Sequence, residues 1–313
     1  MKALRYIVAV VILVLIAVAL WVGSRSKSGQ IAVGGKNFTE QTIIGEMAAQ
    51  LIKHHTGLRV RRKFNLATNL PMKMLTAGEI DVYLDYTGTG YVDILGHSYN
   101  QEPPEKIYEF LKETYPKEFG AAWLTPLGFK NTYTLTMRAE HARELGIESI
   151  SDLAGHADEL KAAFDPAFLD REDGYPGLSK FYGFEFAPKP GQLAIGLMYK
   201  ACAEGQVDVI DAFSTDGRIA RFNLKILDDD KRFFPPYDAA FVARQDTLRE
   251  HPGVRAALEM LAGRLDNQKM QELNYAVDEG GRTEANVARE FLLSEGLITQ
   301  ENEDAESGAD SRQ

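Results

Sequence analysis

Cysteine is almost missing from this chain: Cys202 stands alone, so no internal disulfide can form. Its position in an expected helix over 192–204 makes it a small core residue rather than a nucleophile. Histidine is sparse as well. His54, His55, His97, His141, His156 and His251 show no ligand spacing with one another or with the cysteine, so no metal site is expected. Basic runs and zinc-finger spacings are missing too. The net charge is −10 and would be −14 without the four cations Lys2, Arg5, Arg25 and Lys27 of the first thirty residues, which argues against nucleic acid as a partner. Catalytic frames are equally thin. Gly34-Gly-Lys36 has Gln30 where a phosphate-binding loop needs its first glycine and Asn37 where it needs Ser or Thr. Ser214 lacks the Gly-x-Ser-x-Gly frame. The carboxylates Asp81, Asp85, Asp208 and Asp211 are the remaining acid/base candidates, and they read better as turn caps or water-facing groups. Neither catalysis nor a cofactor is expected.

One long apolar run is present. Tyr6 to Val22 is seventeen residues without a charge, preceded by Lys2 and Arg5; as a helix it would span roughly 25 Å. This is an export signal or a short membrane anchor, so the body is expected outside the cytoplasm, periplasmic or otherwise extracytoplasmic. Ala17-Val18-Ala19 offers a small-residue cleavage site, whereas Leu20-Trp21-Val22 continues the run and suits an interfacial anchor; both outcomes stay open. No cysteine follows, which closes the lipoprotein route. Residues 24–30 form a polar leash, and 301–313 an acidic tail expected to be disordered.

Between these ends the pattern is α/β. A strand at 31–35 breaks on two glycines and leads to a helix with Thr39 as its expected cap and an apolar stripe of Ile43, Ile44, Met47, Ala48, Leu51 and Ile52. A second strand at 58–64, a helix opening near Pro71 and a strand at 80–86 complete a β-α-β-α-β run, which favours a parallel sheet with helices on both faces. Ligands of such sheets bind where the strands end, here at 34–41, 65–69 and 86–91. A surface helix at 103–119 and a strand at 131–137 follow, with a crossing to a second lobe near Lys130. That lobe is expected to hold a short helix capped by Ser151, strands at 160–164, 207–213 and 219–227, and the helix at 192–204. The chain returns near Phe234, adds a strand at 238–244, and closes with helices at 252–265, 267–276 and 283–295. The expected boundaries are 31–130 with 238–300 for lobe 1 and 131–237 for lobe 2.

The two halves repeat one stretch. Gly78-Glu-Ile-Asp-Val-Tyr-Leu-Asp-Tyr-Thr-Gly-Thr-Gly90 aligns with Gly205-Gln-Val-Asp-Val-Ile-Asp-Ala-Phe-Ser-Thr-Asp-Gly217, each a glycine, a buried strand, an aromatic residue and a Thr/Gly-rich turn. Tyr86 falls on Phe213. With Tyr133 and Tyr237 at the expected crossings, these give four rings at strand ends. Rings converging from two lobes suit a quaternary ammonium group, which has no N–H to donate and is held by cation-π attraction and shape.

Five ordered motifs carry a family resemblance: Gly35-Lys-Asn-Phe-Thr-Glu-Gln41, Asp85-Tyr-Thr-Gly-Thr89, Arg171-Glu-Asp-Gly-Tyr-Pro-Gly177, Asp211-Ala-Phe-Ser-Thr-Asp-Gly217 and Phe234-Pro-Pro-Tyr237. Over 31–296 the chain resembles the compatible-solute binding proteins of ABC importers, which take glycine betaine, carnitine, choline or proline betaine. The resemblance implies a two-lobed periplasmic-binding-protein fold of the venus-flytrap type II class, with the ligand in the cleft and delivery to a membrane permease under osmotic stress. It also implies a cage of Tyr86, Tyr133, Phe213 and Tyr237, where Phe213 departs from the commoner tyrosine. Lys36 and Arg171 match the lysine and arginine with which some relatives hold the ligand carboxylate. A helix N-terminus and a glycine-rich loop are suitable places for two such cations. Gln41, Asn69, Thr89 and Asn131 are the expected polar lining. Two alternatives remain: the same fold taking choline or an ergothioneine-like ligand, and a membrane-tethered flytrap acting as a sensor.

Overall fold

The computed structural model describes residues 29–67, 70–170 and 174–300. The apolar run at 6–22 and the acidic tail at 301–313 lie outside the described residues, within which no helix is long and apolar enough to cross a membrane. The chain begins β1 (Gln30–Lys36), α1 (Thr39–Thr56), β2 (Arg59–Leu66), α2 (Leu70–Thr76), β3 (Val82–Tyr86), a π-helix (Thr89–Ile94), α3 (Pro104–Phe119) and β4 (Ala121–Trp123). It crosses into β5 (Tyr133–Arg138), α4 (Ala139–Leu145), α5 (Ile150–Ala154), β6 (Ala162–Phe164), α6 (Pro166–Asp170), α7 (Tyr175–Tyr182) and β7 (Gly191–Gln192). Then come α8 (Ile195–Ala203), β8 (Val209–Phe213), α9 (Gly217–Arg221) and β9 (Leu224–Ile226). The return path is β10 (Ala239–Arg244), α10 (Gln245–Glu250), α11 (Pro252–Glu259), α12 (Asn267–Asp278) and α13 (Glu284–Ser294).

Two five-stranded sheets result, ordered β2-β1-β3-β10-β4 and β7-β6-β8-β5-β9. β1 lies parallel to β2 and β3, and β6 parallel to β7 and β8. The strand that enters each sheet from the other half is inserted antiparallel: β5 against β8 and β9, β10 against β3 and β4. A chain arriving at the edge where the parallel strands end can only run back against them. The sheets are therefore mixed rather than purely parallel, and the starts of β5 and β10 meet the ends of β8 and β3.

Alternation along the first sheet places a core on each face, as period-2 side-chain geometry requires. Val33, Val82, Leu84 and Phe241 pack beneath α1, α11, α12 and α13, while Ala32, Tyr83 and Val242 face α2 and α3. The second sheet is built likewise, with Leu135, Phe164 and Val209 on one side and Ile210 and Ala212 on the other.

The repeated stretch folds alike in both halves. Gly78 and Gly205 both take left-handed backbone, at φ 70° and 72°, a conformation that costs other residues more. Asp81 accepts from Ala32 N and Asp208 from Lys161 N, each clamping the neighbouring parallel strand. Both strands then end on their aromatic residue.

Several local expectations fail for identifiable reasons. The region 219–227 is not one strand: the Asp216 side chain caps α9 through Arg218 N, and Asn223 at φ 50° separates that helix from the three residues of β9. Ser149, not Ser151, caps α5, in a capping box with Asp152. Thr39 is the first residue of α1 and its hydroxyl donates to Asp278 (2.5 Å), leaving extended Phe38 at the cap. The turn after Tyr86 winds into the π-helix.

Candidate functional site

Four segments converge where β3 and β8 end and the crossings begin. The crossings lie antiparallel to each other: Lys130 bridges to Asp238, Asn131 N donates to Tyr237 O (3.1 Å), and Ala239 N to Phe129 O (3.0 Å). Thr87, just after β3, donates its hydroxyl to Pro236 O (2.9 Å) and accepts from Asp238 N (3.1 Å). Gly88 is required here, because a Cβ at this position would stand 2.8 Å from both Pro236 O and the Tyr237 ring. Tyr237 is thereby pressed against the end of β3.

Tyr86 is buried and anchored. Its hydroxyl donates to Glu40 Oε1 at 2.5 Å, Lys36 Nζ lies 5.3 Å from its ring centroid, and the Phe38 ring stacks on it at 6.5 Å with an 18° tilt. Lys36 is 4% exposed, so its charge needs a partner. Asp85 supplies it at 2.6 Å and also accepts from Tyr83 OH (2.7 Å) and Tyr86 N (3.0 Å). An ammonium has three donors, so this ion pair leaves Lys36 capacity for a further acceptor. Burial raises the Tyr86 hydroxyl pKa well above its ordinary value, and the neighbouring Glu40 raises it further. Burial likewise raises Glu40, against the lowering effect of hydrogen bonds from Thr215, Tyr86, Asn131 and Asn274.

The second half is aromatic rather than polar. Tyr133 and Phe213 are directly paired residues of β5 and β8, with ring centroids 4.8 Å apart. Phe168 lies 5.3 Å and Phe234 6.4 Å from the Tyr133 ring. Tyr133 and Tyr237 both line a cleft of about 550 Å³ at the crossings, with Lys130, Thr132, Phe234 and Asn267 among its other walls. That volume suits a small solute. Tyr86 and Phe213 stand outside its wall, so the four rings are not gathered around this one cleft.

The polar candidates divide in the same way. Gln41 is buried; its Oε1 accepts from Lys36 N (3.2 Å), while Nε2 has no partner among the described residues. Asn131 donates Nδ2 to Glu40 (3.1 Å) and leaves Oδ1 unpartnered among those residues. Buried orphans of this kind are rare and call for an explanation; a ligand's polar groups are one. Thr89 is buried at the start of the π-helix. Arg171 and Asn69 lie outside the described residues.

Glu40, Phe38, Thr215 and Asn274 are neighbours of the site that were not singled out from sequence. Glu40 and Phe38 sit inside a recognised motif. Asn267, Gln271 and Asn274 form an i, i+4, i+7 amide stripe that a periodicity search for apolar residues passes over. The remaining carboxylates are accounted for by structure: Asp81 also accepts from Thr247 Oγ1, and Asp208 from Arg138 Nη2. Among the described residues no group of three or more His, Cys, Asp or Glu side chains is placed to hold a metal.

Two mixed α/β lobes joined by paired crossings, with aromatic and polar side chains converging at the strand ends, define a two-lobed substrate-binding protein. Residues 29–294 match the family OpuAC, the substrate binding domain of ABC-type glycine betaine transport systems, and the chain belongs to that family. It is 37% identical over 270 residues to the carnitine transport binding protein OpuCC of Listeria monocytogenes, covering 85% of this chain and 87% of that protein. It is 35% identical to the ergothioneine transport permease/ergothioneine binding protein EgtU of Helicobacter pylori, over 92% of this chain and 52% of that longer protein. Among solved structures, one described as a glycine betaine/carnitine/choline ABC transporter superposes with a TM-score of 0.82 at 34% identity, over 86% of this chain and all of that one. Family members are extracytoplasmic transport proteins that hand small solutes to a permease.

Proposed function

We propose that this protein captures a betaine-like zwitterion, glycine betaine or carnitine, and delivers it to an ABC permease for osmoprotectant uptake, with no chemical step. The trimethylammonium is held by the faces of Tyr86, Tyr133, Phe213 and Tyr237. The carboxylate is taken by Lys36 and Arg171, with Gln41, Asn69, Thr89 and Asn131 as polar lining. The observation that carries this is the pairing of two strand-end aromatics, one per sheet, with a buried lysine 5.3 Å from the ring of the first. Residues 31–130 with 238–300 act as one lobe and 131–237 as the other, closing about the crossings near Lys130 and Phe234. Residues 6–22 serve as the export signal or anchor. Ergothioneine, itself a trimethylammonium carboxylate, is a second ligand class, favoured by the likeness to EgtU over 92% of this chain.

Calorimetric titration of the chain from Gly29 onward with glycine betaine, carnitine, choline and ergothioneine tests this. Micromolar glycine betaine or carnitine binding, abolished by both Tyr237→Ala and Arg171→Ala, is the expected result. Choline binding indifferent to Arg171→Ala would retain the cage and discard the carboxylate clamp. Heat from ergothioneine alone would move the second ligand class to the front, and silence with all four would defeat solute capture in favour of a tethered sensor.

A further inference from the structure

Glu40 is the second residue of α1 and only 2% exposed, yet ligand capture as proposed above gives it no part. Side chains from four separate segments surround its carboxylate, and three of them donate to it. Tyr86 OH donates at 2.5 Å from the end of β3, and Asn131 Nδ2 at 3.1 Å from the outward crossing. Asn274 Nδ2 donates at 3.4 Å from α12, and the Thr215 side chain, in the turn that follows Phe213, faces the same carboxylate and lowers its pKa. A carboxylate is buried in this way only when its lone pairs are met, and losing donors is costly.

α12 extends the same connection. Asn267, Gln271 and Asn274 share one helix face and donate their amides to Lys130 O, Ser214 O and Thr215 O, each at 2.9 Å. Just beyond, Gly217 approaches α12 so closely that a Cβ would meet Gln271 O and Tyr275 Cα at 2.7 Å. The adjoining face of α12, through Met270, Leu273 and Val277, belongs to the core of the first sheet. A helix seated on the first lobe thus grips the strand-end turn of the second, and one of its three amides is shared with the carboxylate that holds Tyr86.

We propose that Glu40 and the amide face of α12 form an interlobe clasp, in which Glu40 is a positioning residue that fixes the Tyr86 ring for the ligand when the Ser214–Thr215 turn docks. The positioning role rests on Tyr86 being a ligand ring, as proposed above; the clasp does not. Parting the lobes takes Thr215 away from the carboxylate and the two carbonyls away from Gln271 and Asn274, exchanging protein donors for water. Docking restores them, so ring orientation and closure are coupled in both directions. A phenol donating to a carboxylate is also more electron-rich at its face, which strengthens its hold on a cation.

Thr215→Val tests the clasp with little risk to folding, since it removes one hydroxyl and keeps the shape. Spin labels at Lys112→Cys on α3 and Lys200→Cys on α8, both exposed, read the interlobe distance, while native Cys202 is buried. The expected result is a shift toward longer distances in Thr215→Val and in Glu40→Gln, with glycine betaine affinity weakened about tenfold in each. In a Tyr86→Phe background, Glu40→Gln should then cost less than about twofold more, because the two act through one bond. Distances unchanged in both variants overturn the clasp whatever the affinities. Losses that multiply fully across the double variant overturn the positioning role. If the unsubstituted chain binds none of the four solutes, ligand capture fails, and the distances still decide the clasp.

Discussion

The two lobes open their central strands with the same device and finish them differently. Gly78 and Gly205, Asp81 and Asp208, and the strands that follow are matched in backbone and hydrogen bonding; then one strand ends on Tyr86 and the other on Phe213. In the first lobe the ring is held by directed polar contacts, its hydroxyl on Glu40 and Lys36 over its face. In the second it is held by packing on Tyr133, which in turn rests against Phe168 and Phe234. Directed contacts fix an orientation but fail abruptly when one partner is lost, because the other is stranded away from water. Packing degrades gradually with volume. A binding site assembled from one half of each kind has a polar half that sets geometry and an aromatic half that can adjust to ligand shape.

The largest effect expected from this contrast is on Lys36. Lys36→Ala leaves Asp85, itself 1% exposed, without its counter-ion, and should lower the unfolding free energy by about 3–5 kcal/mol. Urea unfolding without ligand measures it. Phe213→Leu, in the packed lobe-2 half, should cost less than about 1.5 kcal/mol. Equal losses at the two positions would erase the distinction between a directed and a packed half-site.

A second expectation concerns lobe 2's own buried acid. Asp211 lies two residues before Phe213 on β8 and accepts from Asp165 N at 2.8 Å. Burial first, and the Asp165 carboxyl beside it, push its pKa up to about 8. The folded state therefore keeps a proton that the unfolded chain releases from about pH 4 upward. With fewer protons bound in the unfolded state, stability falls as pH rises, across the window from about 4 to about 8. Asp211→Asn should remove that slope: its melting temperature should exceed that of the unsubstituted protein at pH 8, the gap closing toward pH 5. A gap independent of pH would mean that Asp211 is ionised in the fold.

Much of this architecture can be read from local pattern. The glycine that ends a helix, the buried strand and the aromatic that ends it are all within a dozen residues, and β1 to β3, α1, β5, β6, β8 and β10 appear within a few residues of where periodicity places them. The ring positions Tyr86, Tyr133, Phe213 and Tyr237 follow from the same logic, being strand ends and crossings. Pairing at distance does not. Nothing near Lys36 says that its partner is Asp85, and nothing near Glu40 points to Asn274, more than two hundred residues on. Capping competition explains the local failures: at 219–227 the alternation of apolar residues fits a strand, but Asp216 just before it caps a helix turn that period-2 counting ignores. Both kinds of loss fall on polar side chains, whose partners depend on the assembled fold.

The smallest expected effect tests how far the polar half-site extends toward solvent. Phe38 is 40% exposed, so it adds little to the core, and Phe38→Ala should change unfolding stability by less than about 0.5 kcal/mol. Its ring nevertheless stacks on Tyr86, and at so exposed a position such a pair contributes less than the ~0.5–1.5 kcal/mol of well-buried aromatic pairs. Part of that contribution is available to a ligand seated on Tyr86. Titration of Phe38→Ala with glycine betaine should show affinity reduced a few-fold, with Phe38→Tyr restoring it and Phe38→Leu not. Restoration by leucine would reduce Phe38 to apolar cover. A loss far beyond tenfold would make it a fifth ring of the cage, and the lobe-1 half-site would then be aromatic as well as polar.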